Sequence, residues 1–168
     1  MNGKEADMIV RANNEILKTM NFLRGLNDEE LTKIGDQCKE RSFEAGELCQ
    51  HEGEPVSNIN FIIKGKAGVE FHIPSIAYGS KDIILYTVST GEIFGWSALI
   101  QGTPWSTMRV LEQMDVLYIR ASDLMNLCEN NYHIGYILMK NLSSLISSRL
   151  RRNRIATLNA LVAIKGEW

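Results

Sequence analysis

The densest concentration of site-forming chemistry lies in Gly91-Glu92-Ile93-Phe94-Gly95-Trp96-Ser97-Ala98-Leu99-Ile100 and the following Gly102-Thr103-Pro104-Trp105-Ser106-Thr107. The order reads as a strand end, a glycine-gated turn at Gly95, one short helical turn and a return to strand. Such an arrangement aims backbone N–H groups at an anion. Ser97, Ala98 and Leu99 are placed to present those groups, Ser106 and Thr107 add hydroxyls, and Trp96 and Trp105 stand as bulky apolar walls that line the cavity or plug it. Arg109 follows as a candidate cation, but Met108-Arg109-Val110-Leu111 fits an outward, solvated arginine between inward apolar side chains. Arg41 and Arg120 read as surface residues in the same way.

Cys49-Gln50-His51 puts a thiol and an imidazole at i and i+2, on one face of a strand, and His72 is a second imidazole nearby in the pattern. These are metal-ligating types, but there is no His-x-His with a following Glu and no second Cys to complete a tetrahedral set, so no metal site is expected. His133 reads as a capping or surface residue. No Ser/His/Asp constellation, phosphate-binding loop or acid pair names a catalytic group, and the chain is read as non-enzymatic. Arg149, Arg151, Arg152 and Arg154 form a basic cluster that suits an acidic partner, a nucleic-acid backbone or a solvated helix face.

The elements that must position these residues are bounded by composition. At 168 residues and 45% hydrophobic content, the chain can bury one sizeable core with a helical extension. Eighteen Lys plus Arg against 20 Asp plus Glu give a formal charge of −2, which supplies no global attraction to nucleic acid or anionic membrane. Three cysteines, Cys38, Cys49 and Cys128, read as reduced thiols, and no signal core or membrane-length apolar run is present, so the expected compartment is the cytoplasm.

Ile9, Ile16, Leu17, Met20, Phe22 and Leu23 open the chain as an amphipathic segment with Asn13 and Asn14 toward water. Asn27 or Asp28 then caps a helix expected from Asp28 to about Cys38. From Lys39 the period changes to short β-type runs at 41–43, 48–51, 59–63, 68–73, 83–88 and 108–119. The breaks between them, including Lys64-Gly65-Lys66, carry turn chemistry. Many short strands at regular spacing predict an antiparallel β-roll, eight-stranded or similar and jelly-roll-like. Ser122-Asp123 opens a short helix to about Glu129, and a long helix runs from about Tyr132 to Ile164. The expected organisation is a helical segment at 1–39, the β-roll at 40–120 and C-terminal helices at 121–168. Ile134, Leu138, Leu142, Leu145, Ile155, Leu158 and Val162 recur at three- and four-residue steps, more stripe than one roll can hide, which predicts a homodimer through this helix.

Phe22-Leu23-Arg24-Gly25-Leu26, the Glu52-Gly53-Glu54-Pro55 turn, the strand from Asn60 to Val69, with Pro74 to Lys81 as its variable loop, and the stretch around Gly95 together resemble the cyclic nucleotide-binding domain family, whose members share a catabolite-activator-like β-roll. The resemblance runs from about Phe22 to Arg154. In that family the phosphate-binding cassette reads Phe-Gly-Glu-x-Ala-Leu with an arginine shortly afterwards. The resemblance implies that the glutamate binds the ribose 2′-hydroxyl and that the arginine pairs with the cyclic phosphate. Here Trp96 takes the glutamate position and the arginine position falls on Pro104 or Trp105. Losing a bidentate arginine–phosphate contact removes on the order of two decades of affinity.

The function expected from the resemblance is therefore non-catalytic regulation or ligand sensing by a domain with a degenerate nucleotide site and no cofactor. Two alternatives stand beside it: a genuine cAMP or cGMP sensor with unusual contacts, and a haem or metal sensor using Cys49 with His51 or His72, since some relatives bind haem through Cys and His. The family's transcription factors place a helix-turn-helix after the long helix. With no recognition helix in this sequence, no sequence-specific DNA reading is expected of it, nor any membrane contact.

Overall fold

Period-2 alternation after residue 38 yields six strands in the computed structural model, which describes residues 14–73 and 81–165. They are β1 (Lys39–Phe43), β2 (Leu48–Gln50), β3 (Asn58–Ile73), β4 (Lys81–Ser89), β5 (Ile93–Phe94) and β6 (Thr107–Arg120). Every pairing is antiparallel, in the order β1-β6-β3-β4, with β2 added to β6 and β5 to β3. β6 is the axis: its first half pairs with β2 and its second with β1, while β3 runs along its whole length. This is the expected antiparallel β-roll. The Lys64-Gly65-Lys66 turn is not a turn, because β3 runs through it with register shifts against β6. Gly65 takes φ +91° there, and a Cβ would fall 2.2 Å from the Gln113 carbonyl oxygen, so a bulge bends one long strand where two short ones are expected.

Among the described residues the roll is flanked by a helical stretch at 14–18, a 3-10 turn (Asn21–Leu23), and helices α1 (Asp28–Gly35), α2 (Ala121–Asn130) and α3 (Tyr132–Lys165). α1 opens with a capping box in which the Glu30 N–H donates to Asn27 Oδ1 and the Asn27 N–H to Glu30 Oε2, each at 3.0 Å. It stops short of Cys38, where the Gln37 and Cys38 N–H groups reach back three residues and tighten the chain into β1. α2 begins at Ala121 with no side-chain cap, and Ser122-Asp123 lies inside it. Asn14 faces inward, donating to Thr32 Oγ1 at 2.7 Å. Ile9, Asn13, the Val162 side chain and all but the last residue of the expected loop from Pro74 to Lys81 lie outside the described residues, and Lys81 opens β4.

Two apolar clusters result. Phe43, Ile62, Ala67, Val69, Val88, Phe94, Met108, Val110, Met114 and Val116 fill the roll interior. The other cluster joins the opposite face of the strands to the helices, with Leu117 and Ile119 of β6 alternating against Met114 and Val116. Ile134, Leu138 and Leu142 of α3 are buried in that second cluster, and Leu145 packs against it. Four of the residues expected to pair two chains, Ile134, Leu138, Leu142 and Leu145, are therefore used within one, while Ile155 and Leu158 of the same expected stripe are exposed. A different face of α3 is exposed, carrying Tyr132, Tyr136, Met139, Ile146 and Leu150. Among the described residues no helix is long and apolar enough to cross a membrane.

Candidate functional site

The cassette is built by backbone geometry. β5 ends at Phe94, and Gly95 turns the chain at φ +79°, where a Cβ would sit 2.2 Å from the Asn58 carbonyl oxygen. A five-residue 3-10 helix, Trp96–Ile100, follows and closes with Gln101 at φ +51° and the Gly102 N–H donating to the Ser97 carbonyl at 2.9 Å. The return segment is bound to the loop after β2. Pro104 O accepts from the Gly53 N–H at 2.9 Å, Ser106 O from Gln50 Nε2 at 3.1 Å, and Thr107 Oγ1 from the Glu52 N–H at 3.2 Å. The Thr107 hydroxyl thus already accepts from backbone.

Ser97 and Leu99 are buried, and Trp96, Ala98 and Leu99 turn toward the helical cluster instead of the roll interior. Trp105 is 83% exposed. Neither tryptophan plugs the interior, which the apolar cluster around Phe94 fills. Arg109 points away from Met108 and Val110, as alternation requires, but it is not simply solvated: its Nε lies 2.8 Å from Glu70 Oε1. Arg41 is exposed with its guanidinium 4.2 Å above the Phe43 ring, and exposed Arg120 pairs with Asp123 at 2.7 Å.

Cys49 and His51 do not share a strand face, because β2 ends at Gln50 and His51 is exposed beyond it. Burial pushes the Cys49 thiol up to about 12, and its Sγ lies 3.6 Å from the Met108 carbonyl. His72 sits in β3 opposite Asp82. Among the described residues no group of His, Cys, Asp or Glu side chains gathers to hold a metal ion. His133 is more than a cap: its Nδ1 lies 2.8 Å from buried Glu30 Oε1, joining α1 to α3.

The arginine cluster divides. Arg149 is 6% exposed, with Nη2 3.3 Å from Glu92 Oε1 and its Cζ 5.0 Å above the Tyr86 ring. Arg152 Nη1 reaches the same Glu92 oxygen at 3.3 Å, while Glu92 Oε2 accepts the Ser89 N–H at 3.0 Å. Burial pulls the Arg149 guanidinium below its ordinary range, with Tyr86 and Glu92 opposing. Beside Glu92 and Arg152 a cleft of about 260 Å³ separates α3 from the turn between β4 and β5, lined also by Phe22, Ile93, Leu145 and Ser148 among others. The sequence does carry a signal for Arg149: it continues, at helical spacing, the inward steps of buried Leu142 and half-buried Leu145.

A β-roll with a glycine-gated turn, a 3-10 helix and a long helix behind it has a counterpart among known families. The family model for the cyclic nucleotide-binding domain matches residues 40–131. The chain belongs to this family. Human cGMP-dependent protein kinase 2 is 30% identical over 100 residues, covering 60% of this chain and 13% of the kinase, so the chain spans a small part of that relative. Among solved structures, a cyclic nucleotide-binding domain from Methylobacillus flagellatus superposes with TM-score 0.74 at 20% identity, covering 92% of this chain and 85% of that one. The regulatory domain of Toxoplasma gondii PKA, crystallised with cAMP, gives TM-score 0.68 at 20% identity over 84% of this chain and 52% of that one. Thermus thermophilus catabolite activator protein gives 0.64 at 20% identity, over 84% and 62%. These likenesses establish the fold.

Proposed function

We propose that this cyclic nucleotide-binding domain is a non-catalytic regulatory module whose nucleotide site is degenerate and which senses a small ligand other than the common cyclic nucleotides. The observation that carries the reading is Trp105, an exposed indole at one of the two positions, with Pro104, where the family's phosphate-binding arginine falls. An exposed indole is free to stack a planar group against its face, which favours a binding role for Trp105 over a plugging one. We place it in the cytoplasm, in keeping with thiols that are free at Cys38, Cys49 and Cys128. Its partner is a second copy of this chain, paired along the exposed face of α3.

A thermal-shift screen with nucleotides and planar aromatic metabolites tests the reading, because a ligand that binds only the folded state raises its apparent stability by mass action. A planar ligand that stabilises the native chain and loses its effect in Trp105→Ala supports it. Stabilisation by cAMP or cGMP at low micromolar concentration would instead establish ordinary cyclic nucleotide sensing, and no stabilisation by any compound would leave only a protein-interaction role.

A further inference from the structure

The cassette return offers no cationic side chain at Pro104 or Trp105, yet a guanidinium is held out of water where α3 crosses the roll. Arg149 stacks over Tyr86, which itself packs against the interior cluster. Its Nη2 has Glu92, while its Nη1 is buried without a hydrogen-bond partner. Arg152 draws on the same carboxylate. Two guanidiniums therefore share one carboxylate whose second oxygen is already occupied by a backbone N–H. The trio carries one excess positive charge, and a buried donor left unpaired pays its desolvation without return. An oxyanion would remove both deficits, and a cleft with Glu92, Ser144, Ser148 and Arg152 on its wall gives it a place to enter, one carboxylate away from Arg149.

We propose that Arg149 and Arg152, presented by α3 and oriented by Glu92, bind the anionic group of the ligand, a phosphate ester or a carboxylate, in place of the arginine the cassette lacks. The proposal rests on the ligand-sensing reading above and deepens it. Glu92 is the carboxylate facing the site, and it keeps the two guanidiniums together rather than cancelling both. Guanidinium pairing with an oxyanion in a partly dry cleft is a strong, geometrically selective contact.

The test titrates the full chain with cyclic AMP as the phosphate ester, benzoate as the carboxylate and adenosine as the uncharged control. The Arg149 side-chain N–H resonances are followed by NMR, and affinities are measured by calorimetry for native protein, Arg149→Met and Arg152→Met. Methionine keeps much of the apolar stem, and Arg152, being half-exposed, supplies a variant that folds if Arg149→Met does not. Binding of at least one anion that moves the Arg149 resonances and weakens about tenfold or more in the variants, with adenosine unaffected, is the expected result. An anion that binds both variants as tightly as native protein overturns the arginine assignment and leaves ligand sensing standing. Binding of adenosine alone overturns it too. If none of the three probes binds, the arginine assignment falls, and the ligand-sensing reading falls with it only if the aromatic screen is also empty.

Discussion

Arg109 is bound to Glu70: the guanidinium Nε lies 2.8 Å from a carboxylate oxygen whose side chain is 9% exposed. The guanidinium also donates to the Gly46 carbonyl at 3.2 Å, on the face of β6 opposite the interior. Its task is to satisfy a buried charge. Arg109→Met should cost about 2–3 kcal/mol, less than a fully buried pair because Arg109 is itself partly exposed. Urea unfolding measures this, and anion affinity should be unchanged. Lost affinity with unaltered stability would return Arg109 to the ligand site.

Cyclic AMP and cyclic GMP should bind with dissociation constants above the low micromolar range. On the proposed degenerate cassette, Trp96 stands where the family's ribose-binding carboxylate falls and Pro104 or Trp105 where its arginine falls, which removes two charge-assisted contacts from the cassette itself. Calorimetry at neutral pH reads this directly. Tight binding would require cations strong enough to replace the cassette arginine, and Arg149 and Arg152 would then be the first to substitute.

The two cassette tryptophans should separate in solution. Trp105, largely exposed, should be quenched by iodide and should tolerate Trp105→Ala within about 0.5 kcal/mol. Trp96, half-buried against the helical cluster, should resist quenching, and Trp96→Ala should cost about 1–3 kcal/mol, part of the penalty for emptying a full core site. Replacing Trp168 with Phe leaves these two rings to report. Equal quenching of both would show that Trp96 has left the helical cluster.

Much of the roll was legible because period-2 alternation and glycine turns are local signals. A helix cap at Asn27 or Asp28, the placing of most strands and the glycine-gated short helix follow from residues within a few positions of one another. What was illegible depended on distant partners. Gly65 looks like a turn residue until Gln113 lies against it. Leu138 and Leu142 look like a dimer seam until the helical cluster claims them. Arg149 looks like one of four solvated arginines until Tyr86 and Glu92 surround it. Each depends on a contact made only when the chain folds back.

Glu30 should give the fold an acid-sensitive joint. Burial alone pushes its carboxyl up, but the Asn27 N–H and the His133 ring outweigh that and hold it below its ordinary value of 4.5. A depressed folded value means the stabilisation is complete above the unfolded value and disappears as pH falls through the folded one. Native protein should therefore exceed Glu30→Gln in stability at neutral pH, and the gap should close on acidification below about 4.5. Denaturant melts of both proteins at stepped pH measure it. A gap that persists unchanged at pH 3 would mean that Glu30 contributes by packing rather than by charge.

The exposed face of α3 should make the dimer. Tyr132, Tyr136, Met139, Ile146 and Leu150 fall at steps of four, three, seven and four residues, a period of 3.5 that keeps a seam facing a partner helix in a left-handed pair. Ser143 fills the gap in that spacing. The inward stripe of Ile134, Leu138 and Leu142 cannot serve, because it is already buried. Leu150→Glu should consequently give a folded monomer, with native circular dichroism and half the sedimenting mass. Leu142→Glu should lose the fold, since it places a charge in the helical cluster. A native chain that sediments as a monomer at micromolar concentration, or a Leu150→Glu variant that remains a dimer, would show that this face is not the interface.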